Sequence, residues 1–169
     1  MNLNKSKFLG LSWLAVFALY SSGSHALKSD ANQPVVIDSN AATYDDSKAI
    51  SIYTGNVVAT QGSLEVKSDK LEVYFKDGDI DKLVATGNPA RFKQMPDHGG
   101  EITGKALTGE YYPDQSLLIL IKEAVVWQDG NTYASELIRY DSENAIVKAG
   151  EPASDSKRVR VILKPKSEK

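Results

Sequence analysis

One stretch decides the fold: Ile52-Tyr-Thr-Gly-Asn-Val-Val-Ala-Thr-Gln-Gly-Ser-Leu-Glu-Val-Lys-Ser-Asp-Lys-Leu-Glu-Val-Tyr74. Its turn is Gln61-Gly62-Ser63, where glycine accepts a positive φ at no steric cost. Apolar side chains then alternate with charged ones from Leu64, and they alternate again from Leu71. Because a period of two places apolar side chains on one face of a sheet, the stretch predicts strand, tight turn, strand, short step and strand.

The same pattern occurs again between Glu123 and Tyr140. Residues 68–74 match residues 134–140 without a gap, and the first turn matches Trp127-Gln-Asp-Gly130 with one inserted residue. Two copies roughly 66 to 68 residues apart predict a layered β structure built by repetition. The alternative is that two unrelated β-hairpins share a common pattern.

The rest of the chain predicts more short strands, because turns recur along it and no long window has helical periodicity. Three interruptions are expected: a turn at Asp45-Asp46 in the polar stretch 40–48, the end of a strand at Pro89, and bulges or corners at Gly104 and Gly109. The fold class is therefore all-β, made of short antiparallel strands in a sandwich, roll or barrel. Strand patterns cover residues 33–38, 49–60, 64–76, 80–86, 90–94, 101–112, 116–128, 131–141, 145–149 and 157–163.

The amino terminus has the pattern of a secretory signal peptide. Lys5 and Lys7 precede an apolar run at 8–20, and Ser24-His25-Ala26 fits a cleavage site. The run is short for a membrane span, and an uncleaved anchor is the alternative. The predicted organisation is a cleaved signal peptide at 1–26, a flexible segment at 27–34, one β domain at 35–164 and a solvated tail at 165–169.

Composition excludes several classes of function. The chain has no cysteine, which excludes disulfides and thiolate metal sites and is typical of a bacterial periplasmic protein. The formal net charge is −2, and removal of Lys5 and Lys7 with the signal peptide makes it −4. Basic residues are scattered along the strands, so no nucleic-acid-binding face is predicted.

No catalytic or metal constellation is evident, so no catalytic residue, metal or cofactor is predicted. The one histidine after the signal peptide is His98, in a glycine-rich loop without a marked nucleophile. Asp77-Gly-Asp-Ile-Asp81 lacks the glycine that a calcium-binding EF-hand loop needs at its sixth position, where Lys82 stands. A carbohydrate-active enzyme with two acidic residues is a minor alternative. The chain is predicted not to be an enzyme.

The stretch Leu117-Leu-Ile-Leu-Ile121 is apolar on both faces of its strand, and aromatic residues are spread through the other strands. A curled sheet can be filled by its own side chains, or it can leave room for an apolar ligand. The residues alone leave both possibilities open.

Several motifs in order resemble one family. They are Gln33-Pro-Val-Val-Ile-Asp38, Thr54-Gly-Asn-Val-Val-Ala-Thr-Gln-Gly62, Ser68-Asp-Lys70, Gly87-Asn-Pro-Ala-Arg-Phe92, Gln94-Met95, Thr103-Gly104 and Ile138-Arg-Tyr140. Over the length of the predicted mature chain these motifs resemble the LptA branch of the OstA-like family of periplasmic lipopolysaccharide-transport proteins. Lys122-Glu-Ala124 departs from the family pattern, which often has a second Gly-Asn there.

The resemblance implies a twisted, slightly open β-jellyroll whose apolar groove receives the acyl chains of lipid A. It also implies a soluble periplasmic protein that stacks head to tail with other copies. The stack would bridge the two membranes, with LptC as partner on the inner-membrane side and LptD on the outer-membrane side. A periplasmic scaffold or adaptor that assembles through strand edges and carries no lipid is the alternative.

Two sets of residues are candidates for these roles. Phe92 and Tyr111 occupy matched family positions, and alternation adds the others. The candidate lipid contacts on the interior face are Val35, Ile37, Leu71, Val73, Phe92 and Tyr111. The candidate edge-strand residues for partners are Val35, Val36, Ile37, Arg158, Val159, Arg160, Val161, Ile162 and Leu163.

Overall fold

Strands in one antiparallel sheet contain most residues of the computed structural model, which describes residues 30, 33–96, 100–150 and 158–165. The predicted signal peptide and His98 lie outside the described residues. The all-β class predicted from the alternation is confirmed, and none of the described helical turns could span a membrane. The strands are β1 (Val35–Asp38), β2 (Ala41–Asp45), β3 (Ile50–Gln61), β4 (Leu64–Lys76), β5 (Asp79–Gln94), β6 (Ile102–Tyr112), β7 (Leu117–Gln128), β8 (Asn131–Asp141), β9 (Ile146–Ala149) and β10 (Arg160–Ile162).

The six long strands β3 to β8 pair in chain order, each antiparallel to the next. Two short strands flank β3, because β1 pairs with one half of it and β2 with the other half. Two more flank β8 in the same way, with β10 on one half and β9 on the other. The sheet therefore ends in four short edge strands among the residues described.

A row of register shifts crosses the middle of the six long strands. The pairing shifts in each of the five neighbouring pairs, for example between Thr54 and Val57 of β3 and between Ile121 and Ala124 of β7. Bulges bend strands and increase their twist. The shifts divide the sheet into two lobes. The β1 lobe contains β1, β10 and residues 57–68, 90–106 and 124–135. The β2 lobe contains β2, β9 and residues 50–54, 70–86, 108–121 and 137–141.

The two lobes fold over each other and enclose the core. Phe92 of the β1 lobe and Tyr140 of the β2 lobe stack with ring centroids 6.1 Å apart. Their strands, β5 and β8, are three strands apart in the sheet, a separation of about 14 Å if the sheet were flat. The contact therefore requires the sheet to bend back at the row of shifts, which produces the jellyroll expected from the resemblance.

The predicted interruptions agree with the structure in part. The turn at Asp45-Asp46 is confirmed, because a 3-10 turn begins at Asp46 with Asp45 as its N-cap. The polar residues before it form β2, an exposed edge strand that lacks the apolar alternation by which buried strands are recognised. Strand β5 continues through Pro89, which lies in the register shift where no ladder N–H is required. Neither Gly104 nor Gly109 lies at a bulge, because the shift in β6 falls between Lys105 and Thr108.

The internal repeat is longer and more regular than its sequence pattern predicts. Val57 pairs with Ser68, and 67 residues later Ala124 pairs with Ser135. Both hairpins have two-residue turns, so the predicted inserted residue is wrong. The same spacing relates Ala49 to Ser116, which both adopt φ 48° directly after a 3-10 turn. The repeat therefore includes the strand and turn that precede each hairpin.

Candidate functional site

The inner faces of the two lobes meet around an apolar cavity of about 40 Å³. That volume has room for about three water molecules. Six strands contribute to its wall, namely β1 and β3 to β7. The residues around it are Val35, Ala59, Thr60, Gln61, Leu64, Val66, Leu71, Leu83, Ala85, Ala90, Arg91, Phe92, Ala106, Gly109, Tyr111, Leu118 and Leu120.

All six predicted interior residues are fully or partly buried in the core between the lobes. Four of them line the cavity: Val35, Leu71, Phe92 and Tyr111. The other two pack in the core away from it. Val73 is 2% exposed, and Ile37 is partly buried against the core cluster. A contact of any of the six with a lipid remains a prediction.

Small residues create the cavity, and the sequence reasoning missed them. Ala59, Ala85, Ala90, Ala106 and Gly109 all line it. Each occupies an inward-facing position between larger apolar side chains, so the alternation along the strand predicts that it faces the interior. The missing signal is strand pairing. Ala85 lies opposite Gly109 and Ala90 lies opposite Ala106, and this is evident only once the register of β5 and β6 is known.

Next to the cavity the interior is filled by an aromatic stack. Phe92 and Tyr140 are inclined by 26° and are 5% and 0% exposed. A Cβ on Gly104 would overlap the Phe92 ring, so glycine is required there by close packing. Gly104 therefore does not form the predicted bulge; it leaves space for the Phe92 ring.

Two interior tyrosines have hydroxyls that resist ionisation. Burial raises the pKa of Tyr140 to about 12, with smaller contributions from the charges of Asp141 and Asp30. Burial also raises the pKa of Tyr111, and the Asp30 charge adds to the effect. Both phenols are therefore neutral near pH 7. No three His, Asp or Glu side chains come together as metal ligands in the described parts of the chain.

The predicted partner-edge residues lie on or directly beside β1 and β10, the two strands that end the β1 lobe. In β1 the exposed apolar side chain is Val36, at 54%, while its neighbours Val35 and Ile37 face the core. In and beside β10 the apolar side chains are exposed, and Leu163 reaches 67%. The β2 lobe has its own edges, β2 and β9, which the sequence did not single out.

Comparison with known proteins gives consistent matches. The family model described as "LptA/(LptD N-terminal domain) LPS transport protein" matches residues 36–146. The lipopolysaccharide export system protein LptH of Pseudomonas aeruginosa is 35% identical over 156 residues, which is 88% of this chain and 89% of that protein. Haemophilus influenzae LptA is 33% identical over 98% of this chain and 95% of its own length.

A solved structure supports the same grouping. The crystal structure of LptH, described as the LptA-homologous periplasmic component of the lipopolysaccharide transport device of Pseudomonas aeruginosa, superposes with a TM-score of 0.74. The match has 31% sequence identity and covers 82% of this chain and 100% of that chain. The jellyroll fold and the sequence therefore agree on one group of proteins.

Proposed function

Because the chain belongs to the LptA/(LptD N-terminal domain) family of lipopolysaccharide (LPS) transport proteins, we propose that it carries LPS across the periplasm with the lipid A acyl chains held between its two lobes. The members of this family are transport proteins, and the prediction that the chain is not an enzyme is confirmed on that ground. The single observation that supports acyl-chain binding is the apolar cavity between the lobes.

The physical reason for such an interior is the cost of hydrocarbon in water. Each CH₂ group removed from water is worth roughly 0.8 kcal/mol, so an acyl chain crosses an aqueous space only against a continuous apolar surface. The residues around the cavity supply such a surface on both lobes, with Leu71, Leu120 and Phe92 as large contributors.

The cavity is smaller than a lipid, so binding has to move the lobes. Its volume of about 40 Å³ is well below the roughly 300 Å³ at which ligand pockets begin. The lobes are joined along the row of bulges and meet again where the Gln128 Nε2 donates to the Ala145 carbonyl at 3.2 Å. Acyl chains would enter as the lobes separate, and the interior closes on itself when they leave.

Photo-crosslinking tests whether the interior meets the lipid. A photoreactive phenylalanine analogue at position 92 is expected to crosslink LPS in cells. The same analogue at Trp127, an exposed aromatic position on the outer face, is the matched control. Equal crosslinking at the two positions would contradict the proposal.

A charge in the interior gives a second test. Phe92→Asp is expected to abolish co-purification of LPS, since an unpaired buried carboxylate opposes an apolar ligand. Because Phe92 is 5% exposed, circular dichroism and thermal unfolding have to show that the variant is folded before its lipid content is interpreted. Retained LPS in a folded variant argues against the interior as the binding site.

The transport path would be extended by other copies joined through strand edges. The exposed edges of β1 and β10 are free to pair with a further strand within the described residues, and strand addition is a common recognition mode. We propose head-to-tail copies, with LptC at the inner-membrane end and LptD at the outer-membrane end. Deletion of 158–169 should reduce concentration-dependent assembly in size-exclusion chromatography, whereas deletion of 166–169 should not.

The small cavity favours one second candidate, a periplasmic adaptor with a filled interior that joins proteins through its edges. Native mass spectrometry of protein from a strain that makes LPS separates the two functions. A carrier retains a lipid mass, and an adaptor has the mass of the polypeptide alone.

A further inference from the structure

Asp30, a described residue ahead of β1, is bound to the β1 lobe through its carboxylate. Asp30 Oδ1 accepts a hydrogen bond from the Ser63 N–H at 2.8 Å, and Oδ2 accepts from Ser63 Oγ and from Gln94 Nε2, both at 2.7 Å. Close by, the Gln33 carbonyl accepts a hydrogen bond from Gln61 Nε2 at 3.0 Å. We call these contacts the Asp30 joint.

The Asp30 joint lies beside the interior. Gln61, which holds Gln33, lines the cavity together with Val35, the first residue of β1. From the opposite lobe, Tyr111 and Tyr140 are close enough for the charge of Asp30 to contribute to their raised pKa values. The carboxylate therefore lies where the two lobes meet at the β1 end of the interior.

The surroundings of the carboxylate are shaped to hold it. Gly62 has φ +59°, and a Cβ at this position would collide with the Asp30 side chain. Gln94 is 3% exposed and is one of few buried polar side chains in an apolar core. Buried polar groups need hydrogen-bond partners, and Gln94 Nε2 finds its partner in Asp30.

The opposite end of the interior is built differently. Val159, Val161 and Leu163 are 41%, 46% and 67% exposed around β10. At the turn equivalent to Gly62-Ser63, the Gly100 N–H donates to Asp129 Oδ1 at 3.3 Å, and beside it the Lys164 N–H donates to Asn131 Oδ1 at 3.0 Å. Among the described residues, one end thus has the Asp30 joint and the other presents exposed apolar side chains.

We propose that the Asp30 joint is a latch that closes the β1 end of the interior and has to release before an acyl chain can pass that end. The inference rests on the proposed lipid-carrying function. Polar groups suit a latch because each can replace its hydrogen bond within the protein by one to water at a small net free-energy cost. Separation of two apolar surfaces would instead expose hydrocarbon to water. The joint is also independent of the bulges that connect the lobes, so it can open without unfolding the sheet.

The first test measures how fast an apolar probe enters the interior. N-phenyl-1-naphthylamine fluoresces in apolar surroundings, and its uptake can be followed by stopped-flow mixing. Asp30→Ala should speed uptake by about fivefold or more, the factor that corresponds to one lost interaction of ordinary strength. Asp38→Ala, on the exposed face of β1, is the control and should leave the rate unchanged. Equal rates for wild type and Asp30→Ala would overturn the latch.

The absence of cysteine allows a reversible version of the test. Asp30→Cys combined with Ser63→Cys replaces two hydrogen-bonded side chains by a pair that can be oxidised. Uptake should slow about tenfold or more after oxidation, and a reductant should restore fast entry. Oxidation without any effect on the rate counts against the latch even if Asp30→Ala is unstable.

The two proposals fail in distinguishable ways. If no variant and no wild-type protein binds the probe at equilibrium, the apolar carrier function fails. If all bind it to the same extent and at the same rate, only the latch fails.

Discussion

The β3–β4 hairpin and the β7–β8 hairpin are the same structure built from different residues. Their pairings correspond at a constant spacing of 67 residues, including the position of the bulge. At the bulge the first hairpin has Gly55 and Asn56, whereas the second has Lys122 and Glu123, and all four residues have positive φ. Glycine and asparagine adopt this conformation readily, and lysine and glutamate do so at a cost.

The inner faces of the two hairpins differ as well. Where the first has Ala59 and Val73, the second has the larger Val126 and Tyr140, and all four are buried. The first hairpin borders the cavity, and Tyr140 of the second stacks on Phe92 to fill the neighbouring space. One backbone thus serves two purposes: the smaller side chains of the first hairpin leave room for the cavity, and the larger Tyr140 of the second joins the lobes beside it.

The largest expected difference is at the equivalent positions Tyr140 and Val73. Tyr140→Ala should lower the free energy of unfolding by about 3–5 kcal/mol, because it empties the contact between the lobes. Val73→Ala removes two methyl groups and should cost about 2 kcal/mol. Urea unfolding curves of both variants measure the difference, and equal losses would show that the stack has no special role.

The two turns should respond unequally to an added methyl group. Gly62→Ala should cost about 2–3 kcal/mol, because the residue has positive φ and its Cβ would collide with Asp30. At Gly130 the nearest atom to a Cβ is Lys164 Cδ at 2.7 Å, on a flexible side chain that can move. Gly130→Ala should therefore cost only about 1 kcal/mol. Thermal unfolding of the pair is the measurement, and a larger loss at Gly130 would refute the assignment.

Exchanging the bulge residues should make the hairpins more alike. Lys122→Gly with Glu123→Asn should raise the free energy of unfolding by about 1–2 kcal/mol, since it relieves two unfavourable backbone conformations. The converse exchange, Gly55→Lys with Asn56→Glu, should destabilise the protein, because a Cβ on Gly55 would lie 2.7 Å from Asn40 Nδ2. Chemical denaturation of both double variants tests the sign of each change.

The smallest effect concerns alkaline pH. Tyr140 titrates near 10 in the unfolded chain, and burial raises its pKa to about 12 in the folded protein. As the pH rises from 10 to 12 the unfolded state loses this proton before the folded state does, so stability falls, by about 1.4 kcal/mol at pH 11. Tyr140→Phe should lack this part of the loss. Parallel pH dependences of the two proteins would contradict the raised pKa.

Much of the fold was predictable from local pattern. In the sequence, the apolar residues that begin at Leu64 occupy even-numbered positions, and those that begin at Leu71 occupy odd-numbered positions. The change between the two patterns coincides with the register shift of β4. Strand β2 was missed because an exposed edge strand has no buried face to impose alternation. The end of a strand expected at Pro89 was wrong, because a bulge tolerates proline where a regular ladder does not.

The candidate site was predictable only in part. Alternation identified Leu71 as inward-facing, the family resemblance identified Phe92, and both line the cavity. The alanines that create the cavity, and the contact of Asp30 with Gln94, gave no local signal. These features combine residues from several strands, and their side chains meet only after the sheet has bent.

By itself the sequence determined the β class, the inward face of the main strands and the existence of two copies of one hairpin, because these follow from the period of two and from turn residues near each other in the chain. Only the tertiary structure decided that the lobes fold together, that Phe92 meets Tyr140 and that Asp30 accepts hydrogen bonds from Ser63 and Gln94. Those contacts depend on the bend that five successive register shifts produce, and no local pattern specifies its direction or extent.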